Sequence, residues 1–173
     1  QVVGKGTQAM TKMRKGKGYN ALLPLGNGFP MHLIKEKKEI LLVAGGLGYA
    51  PLMPVVDLLI EEKRRFSLIL GVSDRKRLYG LDKKMDMDQV EVMYHPQTVL
   101  DAKLLKKEYQ LVMACGPEGM YEAMKPVFEN HPSAYYSLEA PMACGTGLCS
   151  GCICKGKKVC VEGPVVHVKE YYR

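Results

Sequence analysis

Glu39-Ile40-Leu41-Leu42-Val43-Ala44-Gly45-Gly46-Leu47-Gly48-Tyr49-Ala50-Pro51 is the stretch that decides the architecture. A continuous apolar run from Ile40 to Ala44 reads as a strand buried on both faces, as in a parallel sheet. Glycines at 45, 46 and 48 interrupt it. A new period then begins, with Leu52, Val55, Val56, Leu59 and Ile60 at the i, i+3, i+4, i+7, i+8 spacing of one helix face. A glycine turn between a strand and a helix lets the backbone approach an anionic group at the helix N-terminus.

Outward from this stretch the same alternation continues. Phe66 to Gly71 reads as a second strand, Val90, Val92 and Tyr94 alternate in a third, and Leu100 to Tyr109 predicts a short helix. Gln110 to Cys115 is a fourth strand, Glu118 to Asn130 a helix after Pro117, and Ala134 to Leu138 a fifth strand. Strands alternating with helices imply right-handed crossovers and a parallel sheet, which binds ligands at the carboxyl ends of its strands. Both glycine-rich exits, at Gly45 and Gly116, belong to that end. The expectation is an α/β fold, with a parallel doubly wound nucleotide-binding domain over residues 31–136.

Residues 1–30 are basic and glycine-rich, with an amphipathic stretch around Met10–Met13 and a strong turn signal in Gly26-Asn27-Gly28. So few short elements cannot bury a core alone and must pack on the following domain or on strands outside the chain. The chain has no initiator Met, which reads as a fragment or a processed form, and its start lacks the apolar region of a secretory signal.

With 173 residues, 47% of them hydrophobic, the chain has room for one ordinary domain and a small appendage. It contains no apolar run of about 18 residues, so no helix is expected to span a membrane. The net charge of +7 does not concentrate in one patch. Basic residues scatter through 12–17, 35–38, 63–65, 103–107 and 155–158, near turns and helix ends, which argues for solvated surface rather than a nucleic-acid site. Attraction for an anionic cofactor or an acidic partner is the other reading.

Of six cysteines, all but Cys115 fall between Cys144 and Cys160. Disulfide proteins spread their cysteines to staple distant loops, so this clustering points to metal and a reducing, cytoplasmic compartment. Cys144, Cys149, Cys152 and Cys160 follow C-x4-C-x2-C and then C-x7-C, the plant-type two-iron, two-sulfur pattern. Three thiolates on one tight loop must point at one cluster, and Gly145, Gly147 and Gly151 permit the backbone this needs. Structural zinc favours two separated cysteine pairs, and only one C-x2-C pair is present. Cys154 is the surplus thiol and the alternative to Cys160 as fourth ligand.

The glycine loop, taken with Cys115-Gly116-Pro117-Glu118-Gly119-Met120, resembles the ferredoxin–NAD(P) reductase superfamily, in which both segments line the nicotinamide cofactor. The resemblance implies Gly45, Gly46, Gly48, Ala50, Pro51, Gly116, Pro117 and Met120 as cofactor-binding and Cys115 as the catalytic position. The runs Ser137 to Cys152 and Lys158 to Pro164 narrow it. With them the whole chain is similar to the electron transfer subunits of NAD-dependent, class 1B, dihydroorotate dehydrogenases.

That family has a flavin-binding β-barrel, a nucleotide domain and a cluster segment. The resemblance implies that residues 1–30 are the remnant end of the FAD-binding barrel, with Gly6 and Thr7 contacting flavin, and that residues 137–173 form a small C-terminal [2Fe-2S] domain. In the family, electrons pass from dihydroorotate through FMN on a catalytic subunit, the cluster and FAD to NAD, in pyrimidine biosynthesis, in a heterotetramer. The family's Arg-Pro-x-Ser flavin motif is absent here. Ala140-Pro141 stands where relatives often have Glu-Arg, and the Cys152–Cys160 link is short.

Related bifurcating ferredoxin–NADP reductases and sulfide dehydrogenases often use an acidic first cluster ligand, where this chain has Cys144. A ferredoxin-like carrier and a zinc-stabilised module are the readings from other classes. Ser73-Asp74-Arg75 follows the second strand, where a ribose would lie, and leaves NAD and NADP both open. Ala143, Thr146, Leu148 and Ser150 are uncharged, which suits a docking face for the flavoprotein partner.

Overall fold

A computed structural model describes residues 2, 4–73, 89–94 and 97–173. Ahead of the sheet, α1 (Lys5–Met10) buries no side chain. Its start is tied by Gly4, whose N–H donates to Thr7 Oγ1 at 3.1 Å while the Thr7 hydroxyl donates to the Gly4 carbonyl at 3.0 Å. A short α2 (Leu33–Glu36) anchors Ile34 in the core. No strand forms before Ile40 among the described residues. The described part of the stretch expected as the end of a barrel is α1 followed by turns and irregular chain.

The central elements are β1 (Ile40–Gly45), α3 (Tyr49–Glu61), β2 (Ser67–Val72), β3 (Val90–Tyr94), β4 (Leu111–Cys115), α4 (Glu118–Phe128) and β5 (Ala134–Ser137). The helix expected over residues 100–109 is instead two 3-10 turns, Val99–Asp101 and Lys103–Lys106. The Glu91 carboxylate takes the N–H groups of Lys103 and Leu104 at 2.9 and 2.8 Å. An α-helix would need those donors for its own ladder.

The C-terminal segment adds β6 (Ile153–Cys154), β7 (Lys157–Lys158), α5 (Val159–Glu162), β8 (Val165–His167) and α6 (Val168–Tyr171). The main sheet runs β3-β2-β1-β4-β5-β8. Its first five strands pair in parallel, and β8 closes the edge antiparallel to β5, with Tyr136 opposite Val166. The C-terminal segment, expected as the small cluster domain, thus also supplies the sixth strand of the main sheet. Three residues between a proline and a helix were too short to read as a strand. The β6–β7 hairpin forms its own two-stranded sheet.

Side-chain alternation splits the core in two. Ile40, Leu42, Ala44, Leu111, Met113 and Cys115 face α3, with Leu52, Val55 and Leu59. Leu41, Val43, Val112 and Ala114 face the other way, onto α4 and the C-terminal segment, where Tyr121, Met124 and Tyr136 meet Cys152, Cys160 and Tyr171. The strand period of two puts one cysteine pair in the same core as the helix that follows the second glycine exit. Among the described residues no helix is long and apolar enough to cross a membrane.

Candidate nucleotide and iron–sulfur sites

In this strand order the chain leaves β1 toward β2 and leaves β4 toward β5. The crevice between β1 and β4 is therefore the topological switch point, where such sheets bind ligands. Ala44 pairs with Cys115 at this end. The two exits touch: a Cβ on Gly45 would stand 2.7 Å from Pro117 Cδ, and one on Gly116 only 3.1 Å from Gly45 Cα. Gly45, Gly46, Gly71, Thr98, Pro117 and Met120 line a mainly apolar cavity of about 360 Å³ over them.

The expected cofactor residues divide into groups. Gly46 has φ +56°, with open space where a side chain would be, and forms part of the cavity wall. Gly48 is glycine for another reason than expected. A Cβ there would lie 1.9 Å from the Cys115 carbonyl oxygen, so it lets the loop pack on β4 rather than leaving room for a pyrophosphate. Ala50 and Pro51 are exposed in the first turn of α3, and Pro51 faces a second apolar cavity of about 280 Å³ with Phe29, Met31 and Pro164. Gly6 and Thr7 sit on α1, outside the walls of either cavity. Ser73 is exposed after β2, while Asp74 and Arg75 lie outside the described residues.

Cys115 is fully buried on the α3 side of the sheet, and burial pushes its thiol up to about 11. It is a neutral thiol at physiological pH, not a nucleophile. Sequence reasoning missed Tyr121. Its hydroxyl accepts from the Gly116 N–H at 3.0 Å and donates to the Ser137 carbonyl at 2.7 Å, tying the second glycine exit to the end of β5. The signal available was a tyrosine on an apolar helix face, whose hydroxyl needs a buried partner.

The four candidate ligands fall into two pairs. Around Cys144, the backbone N–H groups of Thr146 and Cys149 point at its sulfur at 3.4 and 3.5 Å. The Thr146 hydroxyl and these N–H groups bring its thiol down to about 5, so it is a thiolate at neutral pH. Gly151 N–H points at Cys149 Sγ at 3.4 Å. The loop turns through positive φ at Gly145, Gly147 and Ser150. Gly151, expected to share that role, does not adopt positive φ, and Ser150 does instead.

The second pair is made by the hairpin. Lys155 and Gly156 both have positive φ, as a two-residue type I′ turn requires, and Val159 N–H closes on the Cys152 carbonyl at 3.1 Å. Cys152 and Cys160, just outside the two strands, thereby come to 3.3 Å between sulfurs, both buried. The Cys160 backbone N–H holds the Cys152 thiol below its usual range, and the contact with Cys152 raises that of Cys160. Cys154 is on β6 opposite Lys157 and lines a small cavity with Glu118, Tyr121 and Tyr171. Lys155 reaches Glu118 at 2.9 Å and Glu122 at 3.5 Å, joining the hairpin to α4.

A mononuclear metal draws its ligands to one point. Among the described residues no three His, Cys, Asp or Glu side chains converge that way. Cys144, whose sulfur takes the Cys149 N–H, Cys149 itself, and Cys152 with Cys160 are the residues that would hold a two-iron cluster, and the N–H groups aimed at sulfur suit its charge.

A parallel sheet with a ligand cavity at its switch point, continued into a paired-thiol segment, defines a class of oxidoreductases that join a nucleotide-binding domain to an iron–sulfur segment. The family model for the iron-sulfur cluster binding domain of dihydroorotate dehydrogenase B matches residues 139–171. The dihydroorotate dehydrogenase B (NAD(+)) electron transfer subunit of Streptococcus pneumoniae is 30% identical over 179 residues, covering 95% of this chain and 70% of its own length. That of Bacillus velezensis is 32% identical over 184 residues, covering 96% and 70%. The chain belongs to this family of electron transfer subunits. A solved structure of an NADH-dependent reduced ferredoxin-NADP oxidoreductase, studied for flavin-based electron bifurcation, matches with a TM-score of 0.73 and 26% identity. The match covers 98% of this chain and 66% of that one.

Proposed function

We propose that this chain is the electron transfer subunit of a two-protein dihydroorotate dehydrogenase, linking a flavoprotein catalytic subunit to NAD in the cytoplasm. The observation that carries this reading is the pairing of Cys144 with Cys149 and of Cys152 with Cys160 within one segment, beside a cavity at the switch point of a nucleotide-type sheet. When bound, a [2Fe-2S] cluster supplies one-electron exchange, FAD the conversion between one and two electrons, and NAD the acceptance of a hydride.

Each residue has a definite task. Cys144, whose thiol the surrounding donors lower, gives up its proton readily to a metal. Thr146, Cys149 and Gly151 donate N–H groups to sulfur, which favours extra negative charge on the ligand set. Lys158 Nζ donates to the Gly147 carbonyl at 3.0 Å and holds the loop shut from the other side. Gly45, Gly46 and Pro117 form the cradle for the nucleotide, with Met120 beneath it. Cys115 is a neutral, buried support for the loop it precedes. The dihydroorotate site is assigned to the partner subunit.

The chain purified without air should carry about two irons and two acid-labile sulfides and be red-brown. Mixed with the FMN subunit, it should restore dihydroorotate-dependent reduction of NAD. Stoichiometric zinc without sulfide overturns the cluster assignment. The likeness in fold to a ferredoxin-NADP oxidoreductase favours a second reading, a subunit of a related bifurcating enzyme. Reduction of NADP with ferredoxin, and none with dihydroorotate and the FMN subunit, would select it.

A further inference from the structure

Cys115 and Ser137 are the last residues of β4 and β5, and they pair in register. Just beyond them the Tyr121 hydroxyl joins the two strand ends. It takes the Gly116 N–H at 3.0 Å and gives its own proton to the Ser137 carbonyl at 2.7 Å, with all three residues buried. A hydroxyl can be inserted this way because it both donates and accepts. On one side of it the chain turns at Gly116 and Pro117 into the switch-point cavity. On the other, past Ser137, the chain enters the cysteine segment.

Gly116 is packed without slack. A Cβ there would stand 2.6 Å from Met120 Cε and 3.1 Å from Gly45 Cα. A shift of Gly116 is therefore passed on to Met120, Gly45 and Pro117, all of them walls of the 360 Å³ cavity. Tyr121 itself does not line that cavity, so it acts through Gly116 and not on a ligand. Its ring is held by other contacts. It stacks on Tyr136 with centroids 4.6 Å apart and meets the edge of Tyr171 at 5.2 Å, in the core that also holds Cys152 and Cys160. Burial lifts the hydroxyl above its ordinary range, so it stays a donor at physiological pH.

We propose that Tyr121 is a positioning residue of the nucleotide site, whose hydroxyl fixes the Gly116 exit and with it the shape of the cavity that takes NAD. This rests on the reading of the switch-point cavity as the nucleotide site. Without the hydroxyl, the Gly116 N–H and the Ser137 carbonyl are buried with no partner. Buried polar groups in that state shift to find one, and the close packing at Gly116 carries the shift into the cavity wall. The aromatic ring, held by Tyr136 and Tyr171, keeps α4 on the core of the cysteine segment with or without the hydroxyl.

The test titrates NAD⁺ by calorimetry into the complete oxidised protein with its cluster in place, unsubstituted and as Tyr121→Phe and Tyr136→Phe. NAD⁺ binds the oxidised protein without electron transfer, so affinity is read apart from activity. Tyr136→Phe removes a hydroxyl from the same stack, one that meets Tyr172 at 3.4 Å and not Gly116. Both variants should melt earlier and keep their iron and sulfide. Only Tyr121→Phe should bind NAD⁺ more weakly, by about tenfold, the scale of one hydrogen bond lost at a buried group. Its Gly116 amide should also exchange about tenfold faster or more. If Tyr121→Phe melts earlier yet binds NAD⁺ as tightly as the unsubstituted protein, or if Tyr136→Phe weakens binding equally, Tyr121 is core packing only and the proposal falls. Unchanged exchange at Gly116 overturns it as well. If the unsubstituted protein takes up no NAD⁺, the nucleotide reading fails first, and the positioning role fails with it.

Discussion

Cys152 and Cys154 are two positions apart, yet they face different surroundings. Cys152 is buried 3.3 Å from Cys160, whereas Cys154 turns toward Glu118, Tyr121 and Tyr171 beside α4. Spacing leaves the fourth ligand open, these contacts favour Cys160, and the proposal yields a contrast between two substitutions. Cys160→Ser should remove most of the iron and sulfide from the purified chain, while Cys154→Ser should retain close to the full complement. The check is iron and acid-labile sulfide per chain, with the visible spectrum. Loss confined to the Cys154 variant would reverse the assignment. Glycine carries a similar lesson. Gly46 and Gly48 look equivalent in the loop, but one lines the cavity at positive φ and the other keeps clear of the Cys115 carbonyl. Periodicity and motif place both at the site; only the neighbouring strand tells their reasons apart.

The loop and hairpin of the cysteine segment form an element with an exposed apolar rim. Leu148 is 87% exposed, and Met142, Ile153 and Val161 are each about half exposed around the same thiols. An exposed apolar cluster with no charged side chain among Ala143, Thr146, Leu148 and Ser150 suits the core of an interface. A charge placed at its most exposed point should obstruct a partner without disturbing the fold beneath. Leu148→Glu should therefore keep its iron content and NADH affinity but weaken assembly with the FMN subunit by about tenfold or more, measured by co-elution or titration calorimetry. Normal assembly of this variant would move the docking face elsewhere. The 3-10 turns between β3 and β4 show the opposite balance at this scale. The apolar spacing there suits a helix, but the Glu91 carboxylate, on β3 and 12 residues before Lys103, captures its donors.

Across the whole molecule, buried ionisable groups tie stability to pH. Burial raises the Cys115 thiol to about 11 and lifts the Tyr121 and Tyr136 hydroxyls above their ordinary values. A raised pKa means the folded chain holds the proton more tightly than the unfolded one. The stabilisation is complete below the unfolded values, about 9 for the thiol and 10 for tyrosine, and is lost as pH climbs toward the folded values. The urea midpoint should stay level to about pH 8.5 and then fall, with Cys115 alone contributing on the order of 2 kcal/mol by pH 11. Cys115→Ala should flatten the early part of that decline; an unchanged profile would show that the thiol ionises as easily folded as unfolded. Much of this protein was determined by sequence alone. Apolar runs such as Ile40–Ala44 and Leu111–Cys115 could be little but central strands, the glycine exits marked the end of the sheet that holds the cavity, and cysteine spacing pointed to an iron–sulfur segment, because each depends on residues close together in the chain. The tertiary structure decided what joins distant segments: β8 as the sixth strand, Tyr121 bridging Gly116 to Ser137, Cys160 meeting Cys152 across a hairpin, and Asn27 clasping Val165. Those contacts are hydrogen bonds and close approaches between residues up to 138 positions apart, and their partners exist only once the sheet has set the distances.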